Sequence, residues 1–455
     1  MESMVFEMEF EIDPAEEQET VPRDLRERRG TTCNRGALMT ILPLAAFMMA
    51  ALLRVLNVRE LSCHRFGMCA ANANANESQH ANDQTQSTTR GRKLVQIHAG
   101  FDGSEALGAK RSNVPFKDVD GTPKDPLQIF KDHGYTYSRL RVMVGPSGSY
   151  GLFQDVEYVK EMAREIVLKN SMKLLLDFHY SHWWADPENQ WIPLDWRNDD
   201  DNDTGSTRNQ SNNSNSNSNV TLDVLKEHVY NHTRAVMEEL IAQGTTPDAV
   251  QIGNEVNAGM LWEEGKIVNG NMHNFVQITN TAIRAMKDSF KKVDVDTDFP
   301  QIVMHLAAGG WTEFTQHWFT NFTKAGGVFD VIGLSYYPFW HGSLQDLSDN
   351  MKNIKAVFPD KSVWVVESAY YWTETSHDFV NLPFDQTEDG QFDYLKALLG
   401  VLKNYGHDTA VFYWGSHWTQ PNLWINSDET WEETENRSLF DSNAQALKGI
   451  DALIG

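Results

Sequence analysis

The sequence predicts an α/β chain folded as a (β/α)8 TIM barrel, on three observations. Eight short, β-rich apolar runs recur after residue 94, longer segments with helical apolar spacing separate them, and residues 94–455 exceed the roughly 250 residues such a barrel needs. In order, the predicted strands are LVQIHAG (94–100), YSRLRVMV (137–144), MKLLLDFHY (172–180), AVQIGNE (249–255), QIVMHLA (301–307), FDVIGLSYY (329–337), SVWVVESAY (362–370) and TAVFYWG (409–415). Between them, DVEYVKEMAREIVLKN (155–170), LKEHVYNHTRAVMEELIAQG (225–244) and FVQITNTAIRAMKDSF (275–290) repeat apolar residues at i, i+3 and i+4. Strands alternating with helices make a parallel sheet, and eight such units close more naturally as a barrel than as an open sheet.

The segments before the barrel read differently. Residues 1–35 are charged and without apolar periodicity, a disordered cytosolic tail. Residues 36–53, GALMTILPLAAFMMAALL, form an uncharged apolar run near the minimum length for a membrane span, either a signal anchor or the apolar part of a late-cleaved signal peptide. Arg23, Arg26, Arg28, Arg29 and Arg35 precede it and only Arg54 and Arg59 follow closely, which keeps the N-terminus cytosolic and sends the rest across. Residues 54–93 form a polar stalk, low in complexity from residue 70. Sequons at Asn76, Asn202, Asn209, Asn212, Asn219, Asn231, Asn321 and Asn436 all lie on the translocated side. The expected setting is the secretory pathway, with the barrel lumenal or extracellular, type II anchored or released by cleavage.

Composition narrows the partners. Against 39 basic residues stand 63 acidic ones, and a net charge of −24 repels nucleic acid and anionic lipid. Aromatic residues make up 11%, with 14 Trp, suited to core packing and to platforms that stack on sugar rings. Cys33, Cys63 and Cys69 all precede residue 70, so the barrel needs neither disulfide nor Cys-ligated zinc. The low-complexity insertion NDDDNDTGSTRNQSNNSNSNSNV (198–220) is too polar to pack; its acidic run could attract calcium, although no ligand spacing is recognisable. No cofactor is required, and a monomer is expected.

Polar side chains at the carboxyl ends of barrel strands share one mouth. Strand two brings Arg139 and Arg141; strand three Asp177, His179 and Tyr180; strand four Asn254 and Glu255; strand five His305; strand six Tyr336 and Tyr337; strand seven Glu367; strand eight Trp414. Each alone has a structural explanation, a Glu paired to an Arg or a satisfied core His. Two carboxylates, Glu255 and Glu367, facing one cavity are what glycoside hydrolysis requires. No H-E-x-x-H or paired-ligand spacing accompanies the histidines, so no metal is expected.

The segments LLLDFHYSHWWADPENQWIPLDW (174–196), VQIGNEVNAGMLWEEG (250–265), FDVIGLSYYPFWHGSLQDL (329–347), VWVVESAYYWT (363–373), FYWGSHW (412–418) and SLFD (438–441) resemble glycoside hydrolase family 53, the endo-β-1,4-galactanases, over about 94–453. The resemblance implies a retaining double displacement on galactan and arabinogalactan, with the GNE glutamate, Glu255, as acid/base and the strand-seven glutamate, Glu367, as nucleophile. With those roles, Arg141 is expected to keep Glu367 ionised, Asn254 to bond the sugar 2-OH, Tyr336 to hold Glu367 in place and Trp414 to floor the cleaved sugar, with His179 and His305 contacting substrate. A raised pKa is expected for Glu255. The chain departs from the family pattern at His182, where Asp usually follows HYS, at Gly415-Ser416, where Glu-Pro usually follows FYW, and at HAGFDGS (98–104), where GADVS is common. Two other readings use the same residues: hydrolysis of another β-1,4-linked polymer such as mannan or β-glucan, and a tethered carbohydrate receptor that binds without cleaving.

Overall fold

The computed structural model describes residues 95–148, 151–197, 220–293, 298–375, 382–419 and 435–454. The tail, the apolar run at 36–53, the stalk, the bulk of the insertion (198–219) and the sequons at Asn76, Asn202, Asn209, Asn212 and Asn219 lie outside the described residues. Among the described residues no helix is long and apolar enough to cross a membrane.

Eight parallel strands close in sequence order: β1 (Ile97–Asp102), β2 (Tyr137–Val142), β3 (Lys173–Phe178), β4 (Ala249–Ile252), β5 (Gln301–Ala307), β6 (Val331–Ser335), β7 (Ser362–Ser368) and β8 (Thr409–Tyr413), with β8 returning to β1. Every predicted strand is present, and only the ends move. The change that matters for the site is in β4, which stops at Ile252 and leaves Glu255 in the turn beyond it. The helices are α1 (Ala106–Arg111), α2 (Pro126–Asp132), α3 (Val156–Ala163), α4 (Leu222–Ala242), α5 (His273–Val293), α6 (Thr312–Lys324), α7 (Leu344–Val357) and α8 (Glu388–Tyr405). The predicted helix at 155–170 is α3 extended by a π-helical turn over Arg164–Lys169. Side-chain caps fix several helix starts: Asp155 accepts from Tyr158 N, Thr387 accepts from Gly390 N, and Ser343 with Asp346 forms a reciprocal capping box.

Strand periodicity explains the interior. Tyr137, Leu175, Ala249, Val303, Val331, Trp364, Val366, Ala410 and Phe412 form an apolar cluster inside the barrel, separate from the larger core under the helices. Gly333 belongs to this crowding, since a Cβ there would lie 2.9 Å from Val303 Cγ1. Two residues further along the strands, on the same face, stand Arg139, Asp177, Gln251 and His305. The inside thus changes from apolar to ionic within one step of the alternation, and that step is the floor of the site.

Candidate active site

Arg139 organises the floor. Its side chain is wholly buried, with Nη1 2.9 Å from Asp102 Oδ2 on β1 and Nη2 2.8 Å from Asp177 Oδ2 on β3 and 2.9 Å from Glu367 Oε1 on β7. Nη2 also donates to Asn254 Oδ1 at 2.8 Å, and Nε to Gln251 Oε1 at 3.3 Å. Three carboxylates around one guanidinium use the planar fork that only arginine offers. Arg141, expected beside Glu367, instead bridges Asp102 at 3.2 Å and Glu105, with Trp184 stacked 4.6 Å over its guanidinium. That expectation is corrected. Both arginines face inward, and although Arg141 is the register partner of Asp177, it is the Arg139 side chain, next inward after Tyr137 of the apolar layer, that reaches Asp177, Gln251 and Glu367.

Glu367 is delivered by an irregularity. Leu334 pairs with Val365, but Ser335 pairs with Glu367, so β7 carries one extra residue at that step. Such a bulge re-aims a side chain, and here Glu367 meets Arg139 through one oxygen while Oε2 accepts from Tyr337 Oη at 3.2 Å. The expected tyrosine, Tyr336, is also corrected: its hydroxyl donates to Gly342 O at 3.0 Å. Ser335 faces inward, so the alternation turns Tyr336 out and Tyr337 in.

Glu255 leaves the barrel rim at φ 47°, a left-handed backbone uncommon for a non-glycine residue. Its Oε1 accepts from Ser335 Oγ at 2.6 Å, and Ser335 is 2.8 Å from His305 Nε2. His305 Nδ1 lies 2.9 Å from Asn254 Oδ1 and 3.1 Å from Gln251 Nε2. Burial holds the imidazole well below its ordinary range, and the nearby Arg139 charge adds to this, so His305 is neutral. A chain of polar contacts thus joins His305, Ser335 and Glu255. His305 is fully buried behind the carboxyl and does not reach the open mouth.

The two carboxyls differ in surroundings. Burial pushes Glu255 well above the usual range, and the Glu367 charge adds to the rise. Burial also raises Glu367, but Arg139 opposes it most strongly. Glu367 therefore gives up its proton first, and its charge then keeps Glu255 protonated.

The other expected residues fall as follows. Asn254 adjoins the pair, its Oδ1 held by Arg139 and its Nδ2 donating to Ala185 O at 2.7 Å. His179 Nδ1 sits 2.9 Å from Asp177 Oδ2, and its buried Nε2 has no hydrogen-bond partner in the structure. Trp414 is partly exposed, 4.8 Å from Trp418 and 6.4 Å from Trp184, with the Arg437 guanidinium 5.1 Å over its ring. Tyr180 points outward to Thr233 of α4 at 2.7 Å, away from the mouth. Of the departures, His182 is buried near Trp191, and burial, aided by Arg197, pushes its imidazole down to about 4. Ser416 Oγ donates to Asp102 O at 2.8 Å, tying the segment after β8 to β1. Asp102, Ser335 and Gln251, which lie within the segments 98–104, 329–347 and 250–265, were not among the expected residues; inward alternation from Arg139 and Asp177 is the signal that would have singled out Gln251. Among the described residues, no three His, Cys, Asp or Glu side chains group as a metal site.

A parallel eightfold barrel carrying two glutamates, Glu367 buried and Glu255 half-buried, beyond the carboxyl ends of its strands defines a glycosidase. The comparisons with known proteins make the class specific. Residues 98–453 match the model of glycosyl hydrolase family 53. The chain is 30% identical over 363 residues to an arabinogalactan endo-β-1,4-galactanase of Cellvibrio japonicus, covering 76% of this chain and 87% of that protein. It is 28% identical to one from Humicola insolens, covering 78% and 97%. The Ignisphaera aggregans GH53 catalytic domain superposes with a TM-score of 0.66 at 29% identity, covering 78% of this chain and 95% of that one. The chain belongs to glycosyl hydrolase family 53.

Proposed function

We propose that this protein is a retaining endo-β-1,4-galactanase in which Glu367 attacks the anomeric carbon and Glu255 carries the proton. In the first step the Glu367 carboxylate forms a bond to C1 as Glu255 gives its proton to the departing glycosidic oxygen. In the second, Glu255 takes a proton from water, whose oxygen displaces Glu367 from C1. Glu367 enters the cycle ionised beside Arg139, and Glu255 enters protonated against Ser335. The observation that carries the reading is the unlike partners of the two carboxyls, a guanidinium on Glu367 and a hydroxyl on Glu255. Asn254, with one N–H used on Ala185, has a second for the sugar 2-OH. The unbonded His179 Nε2 supplies another polar contact, and Trp414 an apolar floor. The galactan preference rests on the relatives' activity. Reducing-sugar release from galactan, mannan and β-glucan tests it: release from galactan first is expected, and none from galactan overturns it. Hydrolysis that survives Glu367→Ala overturns the catalytic assignment.

We further propose that the barrel works across a membrane from residues 1–35, tethered or released through residues 36–53. The apolar run, its flanking arginines and the exposed sequon at Asn231 support this. N-terminal sequencing of the mature protein separates a retained anchor from a cleaved one.

A further inference from the structure

A chain of carboxylates and guanidiniums continues from the nucleophile to β2 and the turn after β1, and the hydrolytic cycle does not use its far end. The contacts run Glu367 Oε1 to Arg139 Nη2 at 2.9 Å, Arg139 Nη1 to Asp102 Oδ2 at 2.9 Å, Asp102 Oδ2 to Arg141 Nη1 at 3.2 Å, and Arg141 Nη2 to Glu105 Oε1. Asp102 Oδ2 is shared by both guanidiniums, so whatever draws Arg141 away leaves that oxygen to Arg139. Glu105 is wholly buried, its Oε2 accepts no hydrogen bond, and Arg141 Nε donates none. A carboxylate there is answered by the Arg141 guanidinium, which Asp102 shares, and by the neutral Trp418 indole.

We infer that Glu105 is a positioning residue for the hydrolytic pair, acting through Arg141, Asp102 and Arg139. Neutral, Glu105 leaves Arg141 to balance Asp102, and Arg139 is free to hold Glu367. Ionised, it draws Arg141 toward itself, Asp102 leans on Arg139, and the mouth gains a negative charge that helps Glu255 keep its proton. Burial pushes the Glu105 carboxyl up to about 7, with Arg141 opposing and Asp102 adding to the rise, so the change falls in the neutral range. The charged and titratable groups around it are Asp102 from β1, Arg141 from β2 and Tyr158 from α3, with Trp418 and His417 beyond β8 nearby. Tyr158 stays neutral, pushed up by burial, and His417 is neutral, pushed down to about 4 by burial. Only Glu105 titrates in this group near neutrality.

The test is the pH profile of kcat/KM on galactan for wild type, Glu105→Gln and Glu105→Asp. The inference rests on the hydrolase reading above. E105Q is expected to bring the alkaline limb down by about half a pH unit, consistent with one charge acting across intervening guanidiniums. The acid limb, where Glu105 is already neutral, stays in place. E105D, which restores the charge, is expected to return the limb toward wild type. An E105Q profile that is only scaled in height, with both limbs fixed, refutes the inference while leaving the pair intact. Failure of the hydrolase reading shows differently, as turnover that survives Glu367→Ala at every pH. If E105Q does not fold, infrared titration of the Glu255→Gln protein decides: a protonated-carboxyl band lost near pH 7 is expected, and no such band at pH 6 overturns the inference.

Discussion

Arg139→Lys is the sharpest perturbation of this site, because it keeps the charge and removes the fork. Arg139 Nη2 alone touches Asp177, Glu367 and Asn254, while Nη1 serves Asp102. An ammonium with three donors on a flexible stem cannot span carboxylates on β1, β3 and β7 at once. A hydrogen bond to a charged group contributes about 1.5–3 kcal/mol. Loss of the one to Glu367 alone therefore lowers kcat/KM by roughly 10- to 150-fold. Arg141→Lys, which touches neither glutamate of the pair, is expected to cost less than about fivefold, within the range of an indirect effect of under about 1 kcal/mol. The assay is reducing-sugar release from galactan at subsaturating substrate, with thermal melts showing that both variants are folded. If Arg141→Lys loses more activity than Arg139→Lys, or Arg139→Lys stays within about twofold of wild type, the placement of Glu367's counter-ion is wrong.

Three further outcomes follow from the same geometry. Tyr337→Phe removes the 3.2 Å hydrogen bond to Glu367 and should lower kcat by about 5- to 30-fold, as for a loss of about 1–2 kcal/mol; Tyr336→Phe, which loses only its bond to Gly342 O, should keep kcat and lower the melting temperature slightly. Ser335→Ala removes a donor that favours the ionised form of Glu255, so the alkaline limb of the kcat/KM profile should move to higher pH; a downward move would contradict the hydrogen-bond assignment. Folding lifts the Glu255 pKa above its unfolded value of about 4.3. Wild type is then favoured below that unfolded value and loses this stability as pH rises toward the lifted one. Glu255→Gln abolishes that loss, so melts taken from pH 4 to pH 7 should show the variant gaining steadily on wild type.

What the sequence conveys here is which face a residue occupies, and what it conceals is depth and phase. Period-two alternation places Arg139 and Arg141 on the same inner face of β2, and nothing in RLRV says which one reaches Glu367. The answer depends on where the apolar layer ends, and that depends on Leu175, Ala249, Val303 and Val331 on four other strands. The choice between Tyr336 and Tyr337 was legible in principle, because Ser335 faces inward and its neighbour two residues on must do the same. Glu367 itself is the opposite case. Strict alternation from Trp364 and Val366, both inside, would turn Glu367 outward into the helix layer. It faces the mouth because β7 carries an extra residue at the step that pairs Glu367 with Ser335. Its motif context marks Glu367 as catalytic, whereas its orientation is set by a strand-pairing defect that no local spacing encodes. The same step puts Ser335, the donor to Glu255, in register with Glu367. The bulge therefore sets the nucleophile, while Ser335 follows the regular alternation of β6.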